Sequence, residues 1–202
     1  MTNPSAVMKL SPVVPVLVIE DAAYARPIAE ALVAGGLFAL EVTLRTAAAL
    51  EVITEMAKVQ GAVVGAGTVL NEADLRSSID AGAKFIVSPG LTEPLGKAAI
   101  ASGIPFLPGI ANAGDIMRGL DLGLTHFKFF PAEASGGIKA LKAITGPFGQ
   151  CKFCPTGGIT QASAPDWLAL DAVLCVGGSW IVPPGAPDVA AITALAHKAS
   201  LL

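Results

Sequence analysis

Between residues 39 and 69, the runs ALEVTL (39–44) and AVVGAGTV (62–69) flank the run AAALEVITEMAK (47–58). The two outer runs are rich in aliphatic residues and predict strands, whereas the Ala-, Leu- and Glu-rich run between them predicts a helix. A strand, a helix and a second strand in this order are typical of parallel strands joined by a crossover helix. The unit therefore predicts an α/β protein.

The same unit recurs along the chain. Most of the predicted strands are apolar on both faces, as parallel strands covered by helices are, and they lie at Val13–Ile19, Ala39–Leu44, Ala62–Val69, Phe85–Pro89, Pro105–Ile110, His126–Ala132, Lys152–Gly158 and Ala172–Trp180. Helices are predicted at Tyr24–Ala34, Ala47–Lys58, Glu72–Ala81, Glu93–Ser102, Ala113–Leu122 and Pro187–Ser200. Eight units without a break in composition predict a single compact (β/α)8 TIM barrel, one domain spanning residues 1–202. An open doubly wound sheet is the alternative, although Gly65–Leu70 lacks the third glycine of the dinucleotide-binding fingerprint.

Composition narrows the class of protein. Of the 202 residues, 53% are hydrophobic and 14% are charged, which excludes intrinsic disorder. A formal net charge of -3 without a cluster of Lys and Arg argues against nucleic-acid binding. The longest charge-free stretches, residues 98–114 and 172–187, are too short for a membrane-spanning helix and contain Pro and Gly. We expect no signal peptide, no membrane partner and a cytoplasmic location.

The three cysteines, Cys151, Cys154 and Cys175, are too few and odd in number for a disulfide framework. The single C-x-x-C pair brackets a strand and has no second pair to complete a zinc site, so we expect ordinary buried thiols. No cluster of His, Cys, Asp and Glu has metal-ligand spacing. The sequence therefore favours chemistry that needs neither a metal nor another cofactor.

Lys128 lies in the middle of the sixth predicted strand, within His126-Phe127-Lys128-Phe129-Phe130. Lysine is almost never fully buried without a partner. Burial disfavours the ammonium form and favours the neutral amine, which is the nucleophile that Schiff-base chemistry requires. A side chain that reaches solvent, or pairs with a carboxylate, explains the sequence equally well.

Residues 40–45 alternate strictly between apolar and polar side chains. Strand periodicity places Glu41, Thr43 and Arg45 on one face, so we expect a carboxylate and a guanidinium to point into the barrel. A carboxylate beside a neutral amine in a dry site is a plausible general base. A structural ion pair between Glu41 and Arg45 is the alternative.

Glycine pairs end the last two predicted strands, in Thr156-Gly157-Gly158 and Gly177-Gly178-Ser179. The loops after strands seven and eight of such barrels often hold a phosphate on backbone N–H groups, and glycine lets the backbone approach an anion closely. Tight turns required for barrel closure are the competing interpretation. Thr68 and Ser88-Pro89-Gly90 line a small polar pocket or serve only as turn residues.

Six motifs extend over nearly the whole chain, from about Val13 to Pro183: Leu40-Glu41-Val42-Thr43-Leu44-Arg45-Thr46, Gly65-Ala66-Gly67-Thr68-Val69, Ser88-Pro89-Gly90, Phe127-Lys128-Phe129-Phe130-Pro131-Ala132-Glu133, Pro155-Thr156-Gly157-Gly158-Ile159 and Gly177-Gly178-Ser179-Trp180. With these motifs in the order of the family, the sequence closely resembles the 2-keto-3-deoxy-6-phosphogluconate (KDPG/KHG) aldolase family, class I.

The resemblance implies a homotrimeric barrel that cleaves 2-dehydro-3-deoxy-6-phospho-D-gluconate to pyruvate and glyceraldehyde 3-phosphate, in the Entner–Doudoroff pathway. Its partner would be a phosphorylated 2-oxo acid. Lys128 would form the Schiff base and Glu41 would act as general acid and base. The substrate-binding residues implied are Arg45 and Thr68 for the pyruvyl carboxylate, Pro89, Phe130 and Thr156 for the pocket, and Gly157, Gly158, Gly178 and Ser179 for the phosphate.

One departure concerns residues 110–113, Ile-Ala-Asn-Ala, which lack the hydroxyl residues often found after strand five of the family. A change there would shift the substrate range more than the chemistry. Other activities therefore stay open: cleavage of 4-hydroxy-2-oxoglutarate, cleavage of the C4-epimeric phosphogalactonate substrate, or non-catalytic binding of a sugar phosphate.

Overall fold

Parallel strands form a closed ring in the computed structural model, which describes residues 3–202. The strands are β1 Val13–Leu17, β2 Ala39–Thr43, β3 Val63–Gly67, β4 Ile86–Val87, β5 Phe106–Leu107, β6 Gly109–Ile110, β7 His126–Phe129, β8 Lys152–Pro155 and β9 Val176–Gly178. One sheet runs in the order β5-β4-β3-β2-β1-β9 and the other in the order β6-β7-β8. Bridges from Phe153 to Val173 and from Thr156 to Gly177 join β8 to the segment of β9. The ring confirms the predicted barrel.

Each predicted strand contains an observed one, but the observed strands are shorter. The fifth is divided into β5 and β6 at Pro108, which has no N–H group to donate to the ladder. The sixth stops at Phe129 rather than Ala132, and the seventh at Pro155 rather than Gly158. The residues beyond these ends form the loops above the barrel.

Helices cover the outside of the ring. They are α1 Pro4–Met8, α2 Ala25–Ala34 after a 3₁₀ turn at Ala22–Tyr24, α3 Ala49–Met56, α4 Glu72–Asp80, α5 Glu93–Ser102, α6 Ala113–Asp121, α7 Gly137–Thr145, α8 Ala164–Leu168 and α9 Val189–Ser200. The six predicted helices agree with α2 to α6 and α9 to within two residues at each end. Within residues 3–202, no helix has the length and apolarity needed to cross a bilayer.

Two separate apolar clusters fill the molecule. The larger one lies between the strands and the surrounding helices. The smaller one fills the interior of the barrel and is covered by Val7 and Met8 of α1, and its other buried members are Val14, Ala39, Phe85, Val87, Cys154 and Cys175. Because α1 closes the N-terminal end of the ring, access to the interior is left to the end where the strands finish.

The three cysteines are buried and free, as the sequence predicts. A hydrogen bond with Cys154 and complete burial raise the pKa of the Cys175 thiol well above its usual value, and burial also raises the pKa of Cys151. Both groups are therefore neutral, unreactive thiols at physiological pH.

Candidate active site

A buried amine and a buried carboxylate meet inside the barrel. The Nζ atom of Lys128 donates a hydrogen bond of 3.0 Å to Oε1 of Glu41, and the two residues are only 5% and 3% exposed. They come from opposite parts of the sequence, 87 residues apart. Removing two charges from water is costly, and a buried ion pair rarely stabilises a fold more than apolar residues of the same volume would. The pair is therefore better explained by chemistry than by stability.

Strand periodicity places Lys128 in the interior. Phe127 and Phe129, its neighbours in β7, pack into the outer cluster between strands and helices. Lys128 between them points to the opposite face, as alternate residues of a strand do. The ring of Phe130 lies above the amine, with its centroid 5.3 Å from Nζ. The ring of Phe130 and the carboxylate of Glu41 thus both lie next to Nζ of Lys128.

Glu41 lies in the middle of β2, in register with Val16 on one side and Gly65 on the other. Its ion pair is with Lys128 and not, in the part of the chain the structure describes, with Arg45. The expectation that Arg45 points into the barrel is wrong, because β2 ends at Thr43 and Arg45 lies two residues beyond it, exposed to solvent. The apolar–polar alternation of residues 40–45 extends beyond Thr43, and past the end of the strand it no longer determines which way a side chain points.

Arg45 instead lines an open pocket of about 300 Å³ above the strand ends. The residues that line this pocket are Val16, Val18, Arg45, Thr68, Pro89, Phe130, Thr156, Gly157, Gly158, Ile159, Gly177 and Ser179. The structure therefore brings together eight of the sequence-predicted site residues: Arg45, Thr68, Pro89, Phe130, Thr156, Gly157, Gly158 and Ser179. Gly177, from the second predicted glycine pair, also lines the pocket, as does Ile159, which directly follows the first pair in the sequence.

The amine–carboxylate pair lies beneath this pocket rather than on its wall. Phe130 links the two, since its ring both lines the pocket and covers Nζ of Lys128. Below the pair, Glu41 borders a small cavity of about 20 Å³, with room for about one water molecule, together with Phe85, Cys154 and Cys175. A small group that enters from above would meet the amine at the bottom of the pocket.

Thr68 has a strained backbone. Its φ of 60° is in the left-handed region, where a β-branched residue is a genuine outlier. The side-chain Oγ1 accepts a long hydrogen bond, 3.5 Å, from Nε of Arg45 across the pocket wall. Strained residues of this kind concentrate at ligand sites, where the surrounding structure holds them in place.

Free backbone donors line the pocket at Gly158 and Ser179. Gly157 and Gly158 have φ of 103° and 80°, which only glycine adopts readily. Within residues 3–202 the N–H groups of Gly158 and Ser179 donate no hydrogen bond to the protein, whereas the N–H group of Gly157 faces the carbonyl of Gly177 across the Thr156–Gly177 bridge. Free N–H groups that converge on a concave surface form a site for an anion.

Gly178 is placed differently from the other phosphate candidates. It pairs with Pro15 in the ladder and does not line the pocket. A side chain at Gly178 would run into the ring of Trp180, 2.2 Å away, so packing accounts for glycine at this position.

No group of three or more His, Cys, Asp and Glu residues within residues 3–202 could hold a metal ion.

A reactive amine beside a carboxylate, at the carboxyl ends of the strands of a (β/α)8 barrel, defines the class I aldolase type of site. The family model for KDPG and KHG aldolase matches residues 5–195, which is nearly the whole chain. The protein belongs to the KDPG/KHG aldolase family.

Similarity to individual proteins is high over their full length. The 2-dehydro-3-deoxy-phosphogluconate aldolase of Zymomonas mobilis is 63% identical over 99% of this chain and 96% of its own. A crystal structure of the Z. mobilis ZM4 enzyme with 3-phosphoglycerate has a TM-score of 0.97 over the same shares. The KHG/KDPG aldolase of Escherichia coli K12 is 54% identical, over 98% of this chain and 95% of its own.

A third relative comes from Legionella pneumophila. Its KDPG aldolase, solved with pyruvate captured at low pH as a covalent carbinolamine intermediate, is 47% identical to this chain. The structures agree with a TM-score of 0.95 over 98% of both chains.

Proposed function

We propose that this protein is a class I aldolase that cleaves 2-dehydro-3-deoxy-6-phospho-D-gluconate to pyruvate and D-glyceraldehyde 3-phosphate in the Entner–Doudoroff pathway. The observation that carries the proposal is the buried hydrogen bond from Nζ of Lys128 to Glu41. The family, the 63% identical Z. mobilis aldolase and the carbinolamine captured in the L. pneumophila enzyme support it.

The first step requires a neutral amine, which the pair itself supplies. Moving one proton along the hydrogen bond from Nζ to Oε1 turns two buried charges into two neutral groups, so low polarity around the pair favours the transfer. The free amine of Lys128 attacks the C2 carbonyl of the substrate and forms a carbinolamine. Glu41 then returns its proton to the leaving hydroxyl, water departs, and a protonated imine remains.

The protonated imine is the electron sink of the reaction, so the mechanism needs no metal. Glu41, now a carboxylate, removes the proton of the C4 hydroxyl, directly or through one water. The C3–C4 bond breaks, its electron pair passes to the imine to give an enamine, and C4 leaves as the aldehyde of glyceraldehyde 3-phosphate. Glu41 then protonates C3 of the enamine, and addition of water releases pyruvate and restores Lys128.

The pocket accounts for both ends of the substrate. Arg45 suits the planar carboxylate of the pyruvyl group, because a guanidinium grips two oxygens at once, and Thr68 adds a hydroxyl beside it. Pro89, Phe130 and Thr156 shape the middle of the pocket. The free N–H groups of Gly158 and Ser179 bind the phosphate, and we keep Gly157 and Gly178 as candidates through their backbones alone.

Three substrates test the proposal. We expect efficient cleavage of 2-dehydro-3-deoxy-6-phospho-D-gluconate and slower cleavage of 4-hydroxy-2-oxoglutarate, which lacks the phosphate that positions the substrate. Support for the second activity comes from the E. coli KHG/KDPG aldolase. A preference for the C4-epimeric phosphogalactonate substrate would replace the proposed substrate by its epimer. Binding of sugar phosphate without turnover would make the protein a binding barrel instead.

We also propose that the chain acts as one domain, in a cytoplasmic homotrimer, as the family resemblance implies. Light scattering on the purified protein tests the assembly. A mass of three chains supports the homotrimer, and a mass of one or two chains contradicts it.

A further inference from the structure

The inner face of β3 carries no side chains near the reactive pair. Gly65 and Gly67 are alternate residues of β3 and face the barrel interior, whereas Ala66 between them packs into the outer cluster. The space that their side chains would fill is taken by residues of the neighbouring strands. Phe85, next to β4, occupies the space at Gly65, and Glu41 of β2 occupies the space at Gly67.

The contact at Gly67 is very close. A methyl group on this residue would lie 2.2 Å from Oε1, 2.7 Å from Cγ and 2.8 Å from Cδ of Glu41. Rotation of the carboxylate about its last bond moves only the oxygens, so it would not relieve the contacts with Cγ and Cδ. Backbone conformation does not require glycine here, because Gly67 is not among the residues with positive φ.

Glu41 has little room to move toward the apolar layer of the barrel. A methyl group at Gly65 would meet the ring of Phe85 at 2.4 Å, which shows how closely this ring fills the layer below the carboxylate. The small cavity that Glu41 shares with Phe85 and Cys175 holds about one water, too little for a displaced carboxylate. Nζ of Lys128 lies beside the carboxylate, at 3.0 Å, and the open pocket lies above the pair.

We infer that Gly67 is a positioning residue for the aldolase reaction: the space left by its missing side chain holds the Glu41 carboxylate against the Lys128 amine. The inference rests on the proposed function only for the role of Glu41 in proton transfer. A side chain at position 67 would displace the carboxylate from its present place, 3.0 Å from Nζ, and leave the amine where it is, so it would impair proton transfer rather than substrate binding.

Gly67→Ala tests this in two backgrounds. With Glu41 present, we expect the substitution to lower kcat roughly 10- to 100-fold, within the range of general acid–base contributions, with KM nearly unchanged. In a Glu41→Ala background, where the clashing atoms are gone, Gly67→Ala should change the residual kcat less than about twofold. Equal losses in both backgrounds, or no loss with Glu41 present, would overturn the inference.

A matched variant separates positioning from general damage. A methyl group at Gly35 would meet Ala196 at 2.4 Å and the carbonyl of Thr193 at 2.8 Å, far from the site. Gly35→Ala should therefore lower the unfolding temperature while kcat per folded molecule stays at the wild-type value. Loss of kcat in this variant equal to that of Gly67→Ala would count against a specific effect on Glu41.

Thermal unfolding gives a readout that does not depend on activity. Gly67→Ala should lower the unfolding temperature of the protein with Glu41 and change it little in the Glu41→Ala background, because the cost lies in one contact. If the wild-type protein cleaves no 2-oxo acid, the proposed function fails. The comparison of unfolding temperatures still shows whether a side chain at position 67 clashes with Glu41. Should the wild type be active and the two backgrounds respond alike, only the inference about Gly67 fails.

Discussion

The two ends of the barrel interior are built from the same strands and differ in chemistry. At the N-terminal end, Val7 and Met8 of α1 close over an apolar layer that includes Val14 and Phe85. At the other end, further along the strands, Lys128 and Glu41 form a buried ion pair under an open pocket. The first layer gains stability from buried apolar area, whereas the second removes charge from water.

The comparison assigns stability mainly to the apolar end of the barrel interior and reactivity to the polar end. Substitutions in the apolar end should change the free energy of unfolding and leave the chemistry alone. Substitutions in the polar end should do the reverse, because strained or desolvated groups at functional sites are supported by the rest of the fold. Four variants, in order of expected effect, test the division.

The largest effect is expected for Lys128→Met, which removes the amine but keeps most of the side-chain volume. Without a nitrogen no imine can form, so aldol cleavage should fall to background while the far-UV circular dichroism spectrum is unchanged. Lys152→Met is the control, since Lys152 begins β8 at the apolar end and donates to the carbonyl of Asp171. Retained turnover in Lys128→Met, or an equal loss in Lys152→Met, would contradict the assignment.

Glu41→Gln should lower kcat roughly 10²- to 10⁴-fold, because the amide has similar size but cannot take a proton from the substrate. Steady-state kinetics on the phosphorylated substrate measure the effect. Pyruvate should still react with Lys128 in this variant, although more slowly. A near-normal kcat would mean that water or Glu133 transfers the proton instead. The carboxylate of Glu133 accepts a hydrogen bond of 3.0 Å from Nε1 of Trp167.

Met8→Ala addresses the apolar end. Met8 is 2% exposed, so its truncation should reduce the free energy of unfolding by about 2–5 kcal/mol, the usual range for a buried methionine. Urea denaturation measures the loss, and kcat of the folded protein should be that of the wild type. A fall in kcat comparable to that of Glu41→Gln would mean that the two ends of the interior are not independent.

The smallest effect concerns His126, which begins β7 at the apolar end. Partial burial, and then the charges of Lys9 and Lys152, lower the pKa of this imidazole below its usual value. The unfolded chain therefore binds a proton below about pH 6.5 that the folded protein does not, and stability falls as the pH drops through that region. His126→Gln should lose this part of the pH dependence in urea denaturation midpoints. An identical pH dependence in both proteins would contradict the expected shift.

The sequence allowed most of the barrel to be predicted because its signals are local. Alternation in residues 40–45 and the lysine among phenylalanines in 126–130 single out Glu41 and Lys128 as candidates, and the resemblance to the family supplies their expected roles. The predicted helix ends agree with the observed ones to within two residues, because helix ends depend on local contacts: at the start of α4 the side chain of Asn71 accepts from the N–H of Asp74 at 2.9 Å.

What escaped prediction depends on contacts between distant segments. The helix α1 has only five residues, too few to show helical periodicity, and its function as a cover depends on the barrel beneath it. The exposed position of Arg45 depends on where β2 leaves the ladder. The reason for glycine at position 67 is a side chain 26 residues earlier in the sequence, since Glu41 fills its space.

The most direct measurement is covalent capture of pyruvate. The protein is incubated with pyruvate and borohydride, digested, and examined by mass spectrometry. We expect one reduced pyruvyl adduct, located on Lys128, and none in Lys128→Met. An unmodified Lys128, or an adduct spread over the exposed lysines instead, would contradict the claim that this buried amine forms the imine.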